Sequence, residues 1–164
     1  MIIYLKNKDT LQVDNFYFKC CIGKNGLSKK KIEGDKKTPI GIFKIEHLYF
    51  RKNRTKHINT NLKSIPIEPK MGWCDDIRFP KKYNKLININ RNISHEMLYR
   101  KDYKYDLLIP IKYNFTKRIP GKGSCIFIHL TKDYKPTAGC IALKKKDFLI
   151  MLKIIKKNTK IKIY

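Results

Sequence analysis

Two residues in the last third of the chain have the types and spacing for nucleophilic catalysis. His129 closes the run Cys125-Ile126-Phe127-Ile128-His129, and Cys140 follows eleven residues later in Pro136-Thr137-Ala138-Gly139-Cys140. A free thiol has a pKa near ~8.5, so only a small fraction is thiolate at neutral pH. An imidazole within hydrogen-bond reach takes the proton, stabilises the thiolate as imidazolium, and later protonates a leaving amine. Gly139 allows a tight turn just before the cysteine, and backbone N–H groups at such a turn can face a developing oxyanion. The residues alone leave a second reading open: a buried structural cysteine beside a hydrogen-bonded core histidine.

Bringing such a pair together takes a strand, a loop and a turn. In a strand over Ser124–Leu130, Cys125, Phe127 and His129 share one face while Ile126, Ile128 and Leu130 share the other. The rest of the chain reads mostly as short extended pieces. Ile2–Leu5, Leu11–Val13 and Phe16–Ile22 are β-branched or aromatic runs cut by Asn, Asp and Gly; Gly41–Ile45 follows a turn at Gly34–Pro39, and Tyr105–Tyr113 is a further apolar run. Residues 51–70 carry many Lys, Asn and Pro with no period and are expected to form a long surface loop. A C-terminal amphipathic helix is predicted over 144–157, where Phe148, Leu149, Leu152 and Ile155 recur at helical spacing, before a last strand at Thr159–Tyr164. Many short strands and one late helix predict a single mainly-β domain over 1–164, closed as a sandwich or barrel.

The chain has 164 residues, 42% of them hydrophobic, enough for one core without metal or disulfide staples. No stretch approaches the roughly 18 apolar residues of a membrane helix. The start, Met1 through Phe16, lacks the basic and apolar segments of a secretory signal. Thirty-eight Lys and Arg against 13 Asp and Glu give a net charge of +25, yet only six of the basic residues are Arg. Phosphate and base recognition favour the planar Arg fork, so no specific nucleic-acid partner is expected; weak, salt-sensitive attraction to polyanions is. Five cysteines (20, 21, 74, 125, 140) form no C-x-x-C pair, which argues against structural zinc and leaves at least one thiol free.

Several segments, in order, resemble the L,D-transpeptidase catalytic domain, also called the YkuD domain. Gly34-Asp35-Lys36-Lys37-Thr38-Pro39-Ile40-Gly41-Ile42-Phe43 is similar to the family's G-D-G-x-T-P-x-G-x-F turn and strand. Ile126–Leu130 resembles the strand bearing its histidine, and 136–143 its S/T-x-G-C-I box; GWCDD (72–76), SHEML (94–98), YDLLIPIKYN (105–114) and IPGKGS (119–124) resemble pieces of one branch. The resemblance implies a metal-free, cofactor-free cysteine acyltransferase of the bacterial envelope or periplasm, acting on peptidoglycan stem peptides and inhibited by carbapenems. Cys140 is then the nucleophile and His129 the base and acid, with the histidine oriented by a backbone carbonyl. Thr137 is implied to position the turn, and the Gly139 and Cys140 amides to form the oxyanion site.

Two departures stand out: Leu130 replaces the glycine that usually follows the histidine, and Ala142 the arginine usually found two residues after the cysteine. Lys122, Lys132, Lys135 and Lys144 are candidates to supply the missing charge. Trp73, Cys74, Asp75 and Asp76 either line the cleft or form an Asx turn; His95 lines the pocket with Glu96 or follows a helix N-terminus capped by Ser94. Thr38, Pro39 and Gly41 read as turn and strand architecture, and Cys125 as core filler near the site. Transfer to water, giving a carboxypeptidase or endopeptidase, is the enzymatic alternative; a non-catalytic lysine-rich domain binding an anionic polymer is the other.

Overall fold

Apolar and polar residues alternate through β1 (Ile2–Lys6), β2 (Thr10–Val13) and much of β3 (Phe16–Cys21), so these strands bury one face and leave most of the other wet. Short turns join them into an antiparallel meander, with Asp14 at φ +53° in the two-residue turn between β2 and β3, a conformation Asp tolerates. In the computed structural model, which describes Met1–Tyr164, the meander sits inside a ten-stranded sheet. The small parallel pair β4 (Leu27–Ser28) and β5 (Thr38–Pro39) lies outside it. β6 (Gly41–Lys44) forms one edge, while β7 (Leu48–Phe50) and β8 (Ser64–Pro66) form the other. The chain between β6 and β7 joins the two ends. An Ile45–Ile111 bridge, with bonds from Glu46 N–H to the Pro110 carbonyl (2.9 Å) and Lys112 N–H to the Lys44 carbonyl (2.8 Å), curls the sheet into a half-barrel.

Three short strands, β9 (Met71–Cys74), β10 (Leu86–Asn88) and β11 (His95–Met97), make a separate sheet with β9 in the middle. The long sheet continues through β12 (Leu107–Pro110), β13 (Phe127–Leu130) and β14 (Ile141–Leu143), which pairs with β3. After the helix α1 (Lys145–Ile154), the last strand β15 (Lys160–Ile163) inserts between β1 and β6, parallel to β1. The mainly-β architecture with one C-terminal helix is thus as expected, and no helix is long and apolar enough to cross a membrane.

The inner face of the sheet packs on α1. Ile3, Leu5, Leu11, Val13, Phe18, Ile128, Leu130, Ile141, Leu143 and Ile161 join the helix residues Phe148, Met151 and Leu152 in one cluster, each large side chain contributing about 1.5–3 kcal/mol by burial. Asp147 in the first turn complements the helix dipole. The outer face splits. Over β12 and β13 it is covered by the β9–β11 sheet, where Trp73 meets Phe127 edge-on at 5.4 Å and Leu98 joins Leu108 in a second cluster. Over β1–β3 it is open.

Four expectations need correction. The strand expected over Ser124–Leu130 starts only at Phe127, because Cys125 turns the chain at φ +53°. Residues 51–70 are not all loop: Ser64–Pro66 pairs in parallel with β7, and Ile67 N–H bonds the Phe50 carbonyl (2.8 Å). The helix stops at Ile154 because Ile155 is extended (ψ 150°) and a Lys156–Thr159 turn, closed by the Thr159 hydroxyl (2.9 Å from Lys156 N), follows. Ser94 caps no helix, since the next residues form β11 and its own N–H bonds Asp76 (3.0 Å).

Candidate active site

β13 and β14 run side by side and parallel, with His129 opposite Ala142 and Ile128 opposite Ile141. Cys140, two residues before Ala142, therefore shares the outer face with His129, diagonally across the strand pair. Both line one cleft of about 450 Å³, together with Thr137, Ala142, Glu96, Arg100, Lys104 and Tyr105.

Backbone ties hold the cysteine turn. Thr38, fully buried, donates its hydroxyl to the Gly139 carbonyl (2.8 Å) and accepts the Gly23 N–H (2.9 Å). This bond ties β5 to the cysteine turn, so the Thr-Pro turn and the Gly-Cys turn form one construction. Thr137 bridges to Ile22 and Lys24 through backbone bonds of 2.9 Å, and its hydroxyl donates to the Cys140 carbonyl (2.6 Å). Gly139 sits at φ +142°, and a Cβ there would lie 2.9 Å from the Lys37 carbonyl oxygen, so only glycine fits. Gly139 N–H is given to the Thr137 hydroxyl (3.1 Å), whereas Cys140 N–H has no protein partner.

The sulfur is nearly buried. Cys140 Sγ donates to the Cys125 carbonyl (3.2 Å) and accepts the Phe127 N–H (3.3 Å); the His129 imidazole is not among its hydrogen-bond partners. His129 Nδ1 is 3.0 Å from the Leu130 carbonyl. A carbonyl can only accept, so Nδ1 carries the proton and Nε2 is left with its lone pair. Burial pushes the imidazole down to about 4, Lys104 and Arg100 adding to the shift and the Leu130 carbonyl opposing it. Burial lifts the Cys140 thiol to about 12 against the Phe127 N–H. The resting pair is thus a neutral thiol and a neutral base rather than a thiolate–imidazolium pair.

Glu96, expected beside His95, lines the cleft, and Arg100, Lys104 and Tyr105 join it with no local signal in the sequence. The Tyr105 ring packs edge-on against His129 at 5.3 Å, and its hydroxyl donates to Glu96 (3.0 Å). Arg100 donates to the same Glu96 oxygen (3.0 Å) and, through two bonds of 3.0 and 2.7 Å, to Asp102. Of the four lysines expected to replace the missing arginine, only Lys135 lines the cleft; Lys132 and Lys144 line a neighbouring depression, and Lys122 lines neither.

Trp73, Cys74, Asp75, Asp76 and His95 do not line this cleft. Trp73 is buried behind it, its indole N–H bonded to Asn84 (2.9 Å). Asn84 is itself buried and also donates to the Tyr113 and Asn114 carbonyls (3.0 and 2.9 Å), fastening the small sheet to the long one. Asp76 forms the Asx turn, accepting Arg78 N–H (3.0 Å) and the Arg78 guanidinium, which with Ser94 N–H holds its carboxyl well below the usual range. His95 points Nδ1 at the Ile93 carbonyl (2.7 Å).

The family described as L,D-transpeptidase catalytic domain, YkuD, matches residues 1–163. No curated protein sequence gives a significant match. Among solved structures, the chain is similar to the helical cell shape determining protein Pgp2 from Campylobacter jejuni, with TM-score 0.56 and 19% identity over 99% of this chain and 46% of that one. It is also similar to Bd1075 from Bdellovibrio bacteriovorus, with TM-score 0.51 and 17% identity over 99% of this chain and 47% of that one. The chain spans less than half the length of either protein.

Proposed function

Because the chain belongs to the L,D-transpeptidase catalytic-domain family, we propose that it is a cysteine acyltransferase acting on peptidoglycan stem peptides in the bacterial envelope. One observation carries this reading: His129 on β13 and Cys140, immediately before the adjacent parallel strand β14, line the same cleft, with Nε2 of the imidazole free to accept a proton. The thiol gives its proton to Nε2 as sulfur attacks the carbonyl joining the L-centre of a diamino acid to D-alanine. A C–S bond forms, and the oxyanion faces the unpartnered Cys140 N–H. Thr137, occupying the Gly139 amide, holds the turn in place instead of leaving that amide for the oxyanion. The tetrahedral intermediate collapses, the C–N bond breaks, and D-alanine leaves with the proton from His129. The side-chain amine of a second stem peptide then attacks the acyl-enzyme carbonyl, giving its proton to His129 Nε2; the C–N bond forms, the C–S bond breaks, and the proton returns to the Cys140 sulfur, leaving a 3–3 cross-link.

A carbapenem tests the assignment: mass spectrometry should find the drug attached to Cys140, and either no adduct or one on Cys125 would contradict it. Incubation with purified muropeptides separates the outcomes of the second step, cross-linked dimers for transfer and shortened monomers for the hydrolytic alternative.

A further inference from the structure

The outer face of the long sheet does not end at the cleft. In register, His129 lies opposite Ala142 and Ala142 opposite Cys21; farther along that face of β3 come Lys19 and Tyr17. One cross-strand row reads Tyr17, Gln12, Tyr4, Lys162, Ile42, each directly opposite the next across five strands. Lys19, Thr10 and Lys6 form a row on one side of it, and Ile2, Lys160 and Lys44 a row on the other. None of these eleven residues is buried, and Tyr17 is 66% exposed.

The face holds five lysines and no acid on its registered strands, Asp9 and Asp14 lying in the turns, and none of the five lysines is ion-paired. Lys160 stands directly opposite Lys44, a like-charge pair that weakens a sheet unless an anion sits over it. The face is also joined to the cleft. Lys19 lies 5.0 Å from the Tyr134 ring centroid, and the next residue, Lys135, lines the cleft while its carbonyl accepts a bond from Cys21 (3.2 Å).

We propose that this lysine–tyrosine face is a docking platform for the polymer that carries the cleft's substrate, an anionic glycan strand bearing peptides. Carboxylates of the strand meet the lysines, and the C–H faces of its sugars meet the electron-rich rings of Tyr4 and Tyr17. Five strands at about 4.8 Å span roughly 20 Å, room for a few sugar units. Lysine point charges without an arginine fork suit a spaced row of anionic groups rather than bidentate reading of bases, and continuity with the cleft through Lys19, Tyr134 and Lys135 points to the polymer that carries the cleft's substrate. The identity of the polymer rests on the function proposed above; the existence of the platform does not.

The test is co-sedimentation of Cys140→Ala protein with purified, insoluble peptidoglycan sacculi. Lys44→Gln/Lys160→Gln/Lys162→Gln on that background should weaken binding about tenfold, the sum of several exposed charge contacts. Tyr4→Ala/Tyr17→Ala should weaken it as well, with folding confirmed by circular dichroism. The charge-matched control Lys52→Gln/Lys81→Gln/Lys117→Gln should bind as the parent does. Equal loss in the control, or no loss in the platform variants, overturns the proposal. So does a parent that ignores sacculi but binds phosphatidylglycerol vesicles or a single-stranded oligonucleotide through the same residues. Sedimentation involves no chemistry at residue 140, so its failure and a failure of carbapenem acylation are separate results.

Discussion

On the outer face of the long sheet, the β12–β13–β14 half and the β1–β2–β3 half grow from the same alternation of side chains but meet different neighbours. Over the first, Trp73, Leu98 and Tyr105 close down on Phe127, Leu108 and Cys140. Over the second, Tyr17, Lys19 and Gln12 face water. Burial holds the histidine and the cysteine of the first half more firmly in their neutral forms, because the charged forms lose their hydration there. The open half presents its lysines to water across a broad surface instead. One pleated sheet thus carries a dry cleft and a wet, lysine-rich surface, and the small β9–β11 sheet decides which half is which.

The sharpest way to break that contrast is Cys140→Ala. Loss of the nucleophile should lower turnover by at least ~1000-fold and abolish the carbapenem adduct, while sacculus binding by the open half persists. Next in size is packing. Phe127→Ala should cost about 3–5 kcal/mol in denaturant unfolding, as a fully buried aromatic, whereas Tyr17→Ala across the same sheet should stay within about 0.5 kcal/mol. A comparable loss at Tyr17 would mean the open half is covered after all.

The buried half should also be the one that feels acid. Folded His129 favours its neutral form with a pKa of about 4, against 6.5 ordinarily. Between those values the unfolded chain binds the proton, so stability is intact above pH 6.5 and falls as pH drops toward 4, by about 3 kcal/mol in all. Urea melts of the parent and of His129→Gln across that window should differ by this amount; parallel curves would argue that the imidazole is solvated. The smallest effect belongs to the open half: Lys160→Gln removes a like-charge pair and should raise stability by a few tenths of a kcal/mol.

The strands of the open half were legible from alternation, and so were the two faces of Phe127–Leu130, because period two follows directly from the pleat; Cys125, at φ +53°, lies outside it. The Thr-Pro and Gly-Cys turns were legible from their glycines and from family resemblance. Local pattern could not place the rest of the cleft's lining. Glu96 was weighed beside His95, but Arg100, Lys104 and Tyr105 join the cleft only through long-range folding, and β9–β11 are three- and four-residue strands too short to read from alternation. Nor could spacing reveal that the Thr137 hydroxyl claims the Gly139 amide, or that the sulfur rests on Cys125 and Phe127 rather than on the imidazole.

The insertion of β15 between β1 and β6 has a consequence for biosynthesis. A ribosome must pass residue 163 and release that segment from its exit tunnel before the sheet can close around its earliest strand. A nascent chain therefore waits with the β15 side of β1 unpaired. Such dependence on distant pairings slows folding, and it makes the newborn protein a candidate client for chaperones that shield bare strand edges.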